Sequence, residues 1–173
     1  MKNDDNNLPK ITADRFLQDS LLMFYSAQEL SKFPLLMRQG SILYHYAIEL
    51  LLKACDVWEN QSYIFSHDLC ILLSRVRFIQ LSDDDKKLIR VINDYFNYRY
   101  PLSEEKFDKM KKTLNENAEE VFDGMLPLPS EIGTDDLEKA AKLINTIVEL
   151  MPDDLQNIMN RIIENIKHNR LLV

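Results

Sequence analysis

Three glycines, Gly40, Gly124 and Gly133, are all that this 173-residue chain contains. Tight hairpins and left-handed turns draw on glycine, so a chain this poor in it is not rich in hairpins and is expected to be helical. The same scarcity excludes a P-loop and a dinucleotide fingerprint, which need clustered glycines to bring backbone against phosphate. Positive charge is short as well: the net charge is −7. That disfavours the coating of duplex DNA, which usually calls for a basic protein. A local basic patch remains compatible with the balance. No apolar run approaches the ~20 residues of a membrane span, and the polar start MKNDDNNLPK lacks the apolar core of a signal peptide. Only two cysteines occur, Cys55 and Cys70, both among apolar helical residues, so two reduced buried thiols are expected rather than a disulfide. Together these absences point to a cytoplasmic protein.

What is present is hydrophobic period. Hydrophobic residues make up 46% and charged residues 28%, ordinary proportions for a chain long enough to bury one sizeable core. Residues 1–11 read as a flexible polar arm. The first helix is expected from Thr12 to Ser31, with Thr12 as N-cap and Phe16, Leu17, Leu21, Phe24 and Leu30 inward; Pro34 breaks it. The second starts near Gly40 and runs through SILYHYAIELLLKACDVWEN, where apolar positions occupy most of the circumference, marking the central helix. Ser66 reads as the cap of a third, and Ser82 as the cap of a fourth that Pro101 ends. Ser103 opens a fifth, closed by Gly124. LPLPSEIGT is the clearest linker. Beyond it, Thr134–Leu150 and Asp154–His168 complete the pattern. The expected fold is all-α: an up-and-down antiparallel bundle over residues 12–126 and two extra C-terminal helices over 127–173 that pack on the bundle or on a partner. The C-terminal stripe Leu137, Ala140, Ala141, Ile144, Ile147, Val148 and Leu150 is read first as completing the core and second as a dimerisation or docking arm.

Paired acids at Asp83–Asp85, Glu104–Glu105, Asp135–Asp136 and Asp153–Asp154 all fall in first turns, where exposed amides favour negative charge. A di-iron carboxylate bundle needs Glu-x-x-His pairs, and none of the three histidines follows a glutamate by three. The cysteines and histidines are too scattered for zinc, so no metal and no cofactor is expected. Glu49 and Lys53 stand four apart in the favourable order for a helix ion pair, among apolar neighbours. They read first as a peripheral pair and second as a polar pocket or dimer seam. His67 and Asp68 open the third helix, as a structural corner before a ligand contact.

These elements, in this order, resemble the HEPN family (higher eukaryotes and prokaryotes nucleotide-binding). ADRFLQDSLLMFYSAQEL is similar to its opening helix and YHYAIELLLKA to its central helix, with Glu49 and Lys53 in an apolar frame. HDLCILL resembles its His-Asp-Leu start, and YFNYRYP followed by EKFDKMKKTLNENAEEVFDGM its Arg-Tyr-Pro corner and closing helix. The resemblance spans Thr12 to Met125. It implies a compact bundle that pairs as a homodimer. It further implies either a metal-independent RNase of the toxin–antitoxin kind or a module binding a nucleotide, RNA or a cognate protein such as an antitoxin or a nucleotidyltransferase-like partner.

Catalytic members carry arginine, four to six residues, then histidine: the imidazole moves protons at the 2′-hydroxyl and leaving oxygen, and the guanidinium stabilises the anionic phosphate. After Arg99 the corresponding positions hold Glu104, Glu105 and Lys106. Glutamate repels a phosphate and does not replace a histidine. The spacing recurs at Arg38…His45 and Arg161…His168, the latter the stronger candidate for a relocated RNase site. The leading expectation is therefore a non-catalytic module in which Arg99 contacts phosphate, helped by Tyr95 and Tyr100, with Lys53, Glu49, His67 and Asp68 in the same polar region. A purely structural interaction protein, with Arg99 capping the fourth helix, is the third reading.

Overall fold

The structure, a computed structural model, describes residues 8–96 and 134–170. Within them the chain is all-α, with six α-helices and no strand among the described residues. They are α1 (Leu8–Ser31), α2 (Met37–Asn60), α3 (Leu69–Arg75), α4 (Asp83–Phe96), α5 (Thr134–Glu149) and α6 (Asp153–Arg170). The expected fifth helix from Ser103, the corner residues Arg99 and Tyr100, the acids Glu104–Glu105 and the LPLPSEIGT linker lie outside the described residues.

α1 begins at Leu8, four residues before the Thr12 expected to cap it, because Pro9 falls in the first turn, where a missing amide hydrogen costs nothing. Pro34 ends this helix as expected and opens a 3-10 turn, Pro34–Leu36, that leads into α2. α1 and α2 form the principal packing of the molecule, with Ala13, Leu17, Leu21 and Ala27 against Ala47, Ile48, Leu51 and Leu52. The Ser20 hydroxyl donates to the Ala47 carbonyl at 2.7 Å across the seam, satisfying a buried polar group.

Gly40 stands inside α2, not at its start. A Cβ there would meet Ser31 Oγ at 2.7 Å and the Ala27 carbonyl oxygen at 3.3 Å. Ser31 Oγ donates to that same carbonyl at 2.6 Å, so the hydroxyl swings aside only by giving up its bond. Gly40→Ala is thus expected to lower stability by about 1 kcal/mol, crowding outweighing the gain in helix propensity. Urea unfolding of Gly40→Ala alone and with Ser31→Ala checks this: the second substitution should return most of the loss.

α2 is the central helix. Ala54, Cys55 and Val57 are buried beside its leucines, and Gln61 closes it in the left-handed region at φ 53°, its amide donating to the Val57 carbonyl at 3.0 Å. After the short α3, Val76, Ile79 and Leu81 are buried although they lie in irregular chain, so this loop is held down by its own apolar residues. Ser82 caps α4 as expected: its hydroxyl accepts from the Asp85 amide at 3.1 Å and donates to the Asp85 carboxylate at 2.6 Å.

α5 packs on α2, α1 and α4, and α6 packs on α1. Leu143, Ile147, Leu155 and Met159 are among the most deeply buried side chains. The C-terminal helices thus complete the core with the stripe read from the sequence, to which the structure adds Leu143 and Met151.

Candidate functional site

Along α2 the polar residues His45, Glu49 and Lys53 recur every fourth position on one stripe, and all three are buried. Glu49 is the hub. Lys53 Nζ donates to its Oε1 at 2.7 Å, and His67 Nδ1 lies 3.0 Å from its Oε2, with His45 Nδ1 at 3.9 Å from the same oxygen. The Glu49 and Lys53 side chains are 4% and 9% exposed, whereas that of His67 is 64% exposed. The expectation of a peripheral ion pair is therefore corrected. The helix is covered all round, so an i,i+4 pair in its middle has nowhere to meet solvent, and each charge is held by the other.

His67 reaches Glu49 from the loop between α2 and α3. A carboxylate can only accept, so Nδ1 carries the hydrogen and Nε2 of the neutral ring is an acceptor. The cluster thus fixes an imidazole at the surface in one tautomer and orientation. That arrangement can accept a hydroxyl proton or, once protonated, meet an anion.

Asp68 has a different task. Its Oδ1 accepts from the amides of Cys70 at 2.8 Å and Ile71 at 3.1 Å, capping α3. The cap expected at Ser66 is therefore displaced by two residues; the Ser66 hydroxyl instead accepts from the Asp68 amide at 3.0 Å. The Leu69 amide donates to Asn93 Oδ1 of α4 at 2.8 Å. With these three amides engaged, the start of α3 is closed to an anion, and Asp68 belongs to the structural corner. Sequence reasoning missed Asn93, whose role depends on α4 crossing α3.

Asp94 of α4 is the electrostatic cost of this corner. Burial, with the Asp68 carboxylate adding to it, pushes its carboxyl above the ordinary 3.8. A raised carboxyl binds its proton more tightly when folded, so its contribution is fully present below pH 3.8 and is lost as pH rises through the folded value. Asp94→Asn is accordingly expected to raise stability at pH 7. Urea midpoints measured at pH 7 and pH 4 should show that advantage shrinking at the lower pH.

Both cysteines are free thiols. Burial pushes the Cys55 thiol far up, and Cys70 is raised by burial together with Asp68 and Asp94, against Arg90, so neither is an activated nucleophile. Among the described residues no group of three or more His, Cys, Asp or Glu side chains could hold a metal ion. No helix among them is long and apolar enough to cross a membrane.

The HEPN domain family model matches residues 41–126. The chain carries a HEPN domain. Neither a curated protein nor a solved structure matches it. The matched HEPN segment begins at Ser41, so it contains the Glu49 cluster, His67, Asp68 and the Arg-Tyr-Pro corner, while α1 and the two C-terminal helices lie beyond it. Of the expected site residues, the structure brings together Glu49, Lys53 and His67. Tyr95 falls in the last turn of α4, its side chain outside the described residues along with Arg99 and Tyr100. The Arg38/His45 pair loses its chemical sense because His45 is 1% exposed, sealed from any RNA phosphate. Arg161 and His168 both sit exposed on α6.

Proposed function

We propose that this HEPN protein binds a nucleotide or RNA without cutting it, as a homodimer, with His67 and the Arg99 corner contacting the ligand. The observation that supports this reading is the Glu49 cluster. Burying a carboxylate and an ammonium is rarely better for stability than apolar packing of the same volume. Here the buried pair holds a surface imidazole in place, an arrangement of use to a ligand site. The cleavage chemistry of the family lacks its histidine after Arg99, which supports binding over catalysis. A cognate protein, an antitoxin or a nucleotidyltransferase-like partner, is the second reading; the exposed apolar corner Phe33, Leu35 and Leu36 favours it.

The test incubates the purified protein with end-labelled structured and unstructured RNAs in EDTA, read on native and denaturing gels, with mononucleotide binding followed by calorimetry. Retarded but intact RNA, weakened about tenfold by His67→Ala through a lost charge-assisted contact, is the expected result. Discrete cleavage that His168→Ala abolishes would replace it with a relocated nuclease on α6. Absence of any RNA or nucleotide binding by a folded preparation would leave the protein-partner reading.

A further inference from the structure

The loop that presents His67 also carries the most exposed aromatic side chain among the described residues. Ser66 donates its amide to the Ile64 carbonyl at 3.0 Å, a one-residue reversal centred on Phe65 that throws this side chain outward. Phe65 is 94% exposed. Its ring meets Tyr63 edge-on, centroids 5.4 Å apart at 61°, and Tyr63 in turn meets Phe16 of α1 at 5.0 Å and 83°. Phe16 and Tyr63 pack on the core, so Phe65 is the outermost of three rings built up from it. A phenylalanine left in water forgoes the stabilisation that burial of its apolar surface would supply. The ring nevertheless has Tyr63 behind it and leaves its outer face open to solvent.

Two residues further on stands His67, held by Glu49. Three carboxylates near this loop are engaged: Glu49 by Lys53, Asp68 by the α3 amides, and Asp56 by Arg75. Arg75 Nη2 also reaches Ser62 Oγ at 3.5 Å, setting a guanidinium beside the start of the loop. The Phe33–Leu36 corner offers apolar surface with no comparable fixed imidazole, so the two patches differ in kind.

We infer that Phe65 is a stacking platform for an unpaired nucleobase, with His67 contacting the phosphate or ribose of the same nucleotide. The inference rests on the nucleotide-binding reading above and names its contact surface. Every base has a π face, so such a platform tolerates sequence, and the adjoining imidazole supplies a polar contact to the backbone. A single-stranded RNA and a free nucleotide share this chemistry.

The experiment uses the full chain and three probes: fluorescein-labelled ten-residue oligouridylate, the same backbone made abasic, and UMP as competitor. Anisotropy is read for the parent, Phe65→Ala and Phe65→Trp, with folding checked by circular dichroism. The parent should prefer the oligouridylate to the abasic strand. Phe65→Ala should lose roughly 5- to 150-fold on the former, the range of one stacked base, with no loss on the latter. Phe65→Trp should restore binding. Displacement by UMP assigns the platform to free nucleotides, and resistance to UMP assigns it to the strand; both support it. Oligouridylate affinity unchanged in Phe65→Ala overturns the platform while leaving nucleotide binding standing. So does a loss confined to self-association in sedimentation, which would make Phe65 a protein contact. A parent that binds no probe at all removes the nucleotide-binding reading and the platform together.

Discussion

Glu49→Ala is expected to be among the most damaging single changes in the chain, lowering stability by about 3–5 kcal/mol, the range for an uncompensated buried charge. The Lys53 ammonium would then lie in the core with its 2.7 Å partner gone, and His67 would lose the acceptor that fixes it. In a domain of this size that corresponds to a fall in melting temperature of about 6–20 °C. Glu49→Leu combined with Lys53→Met should recover most of the loss, because two apolar side chains fill the space without a buried charge. The recovered protein should still bind ligand poorly, its His67 no longer held. Thermal and urea unfolding of the singles and the double complete the cycle. A melting temperature within 2 °C of the parent in Glu49→Ala would contradict the burial of this pair.

The second large effect is expected at Asp56, whose side chain is wholly buried. Oδ2 accepts from Arg75 Nε at 2.7 Å and Oδ1 from Asn60 Nδ2 at 2.7 Å. Asn60 Nδ2 also donates to the Arg75 carbonyl at 3.0 Å, so one carboxylate ties the end of α2 to the end of α3. Asp56→Ala removes the acceptor of two donors at once and should cost about 2–4 kcal/mol. Asp56→Asn, which keeps one acceptor and the shape, should cost less. The amides at the C-terminal end of α3 should also exchange faster with solvent, since the anchors that would remain, the Asp68 cap and the Leu69 amide bond to Asn93, lie at its other end. Urea midpoints with amide exchange by NMR separate the two effects. Normal protection of α3 in Asp56→Ala would show that packing alone holds it.

The bundle was largely legible because helical period and caps are local. The apolar circumference of α2, the Ser82 box and the α5 stripe each follow from residues within a few turns of one another. The site was legible only in part. Glu49 and Lys53 could be paired from their spacing, but whether the pair is exposed depends on the other helices packing around α2, which no local window records. Ser66 and Asp68 are both good caps; Asn93, brought in by α4, accompanies the choice of Asp68. Gly40 looked like a boundary because glycine usually marks one, and its actual task is to let Ser31 and Ala27 approach. Phe65 raised no signal, since one phenylalanine in a polar loop looks like any other core residue.

Cys55 and Cys70 stand at different depths, the first sealed within α2 and the second partly exposed on α3. The molecule therefore carries two chemical clocks. A thiol reagent meets Cys70 at the surface of the folded chain and Cys55 only when the bundle parts, so one labelling time course separates surface access from full opening, with no probe added to the chain.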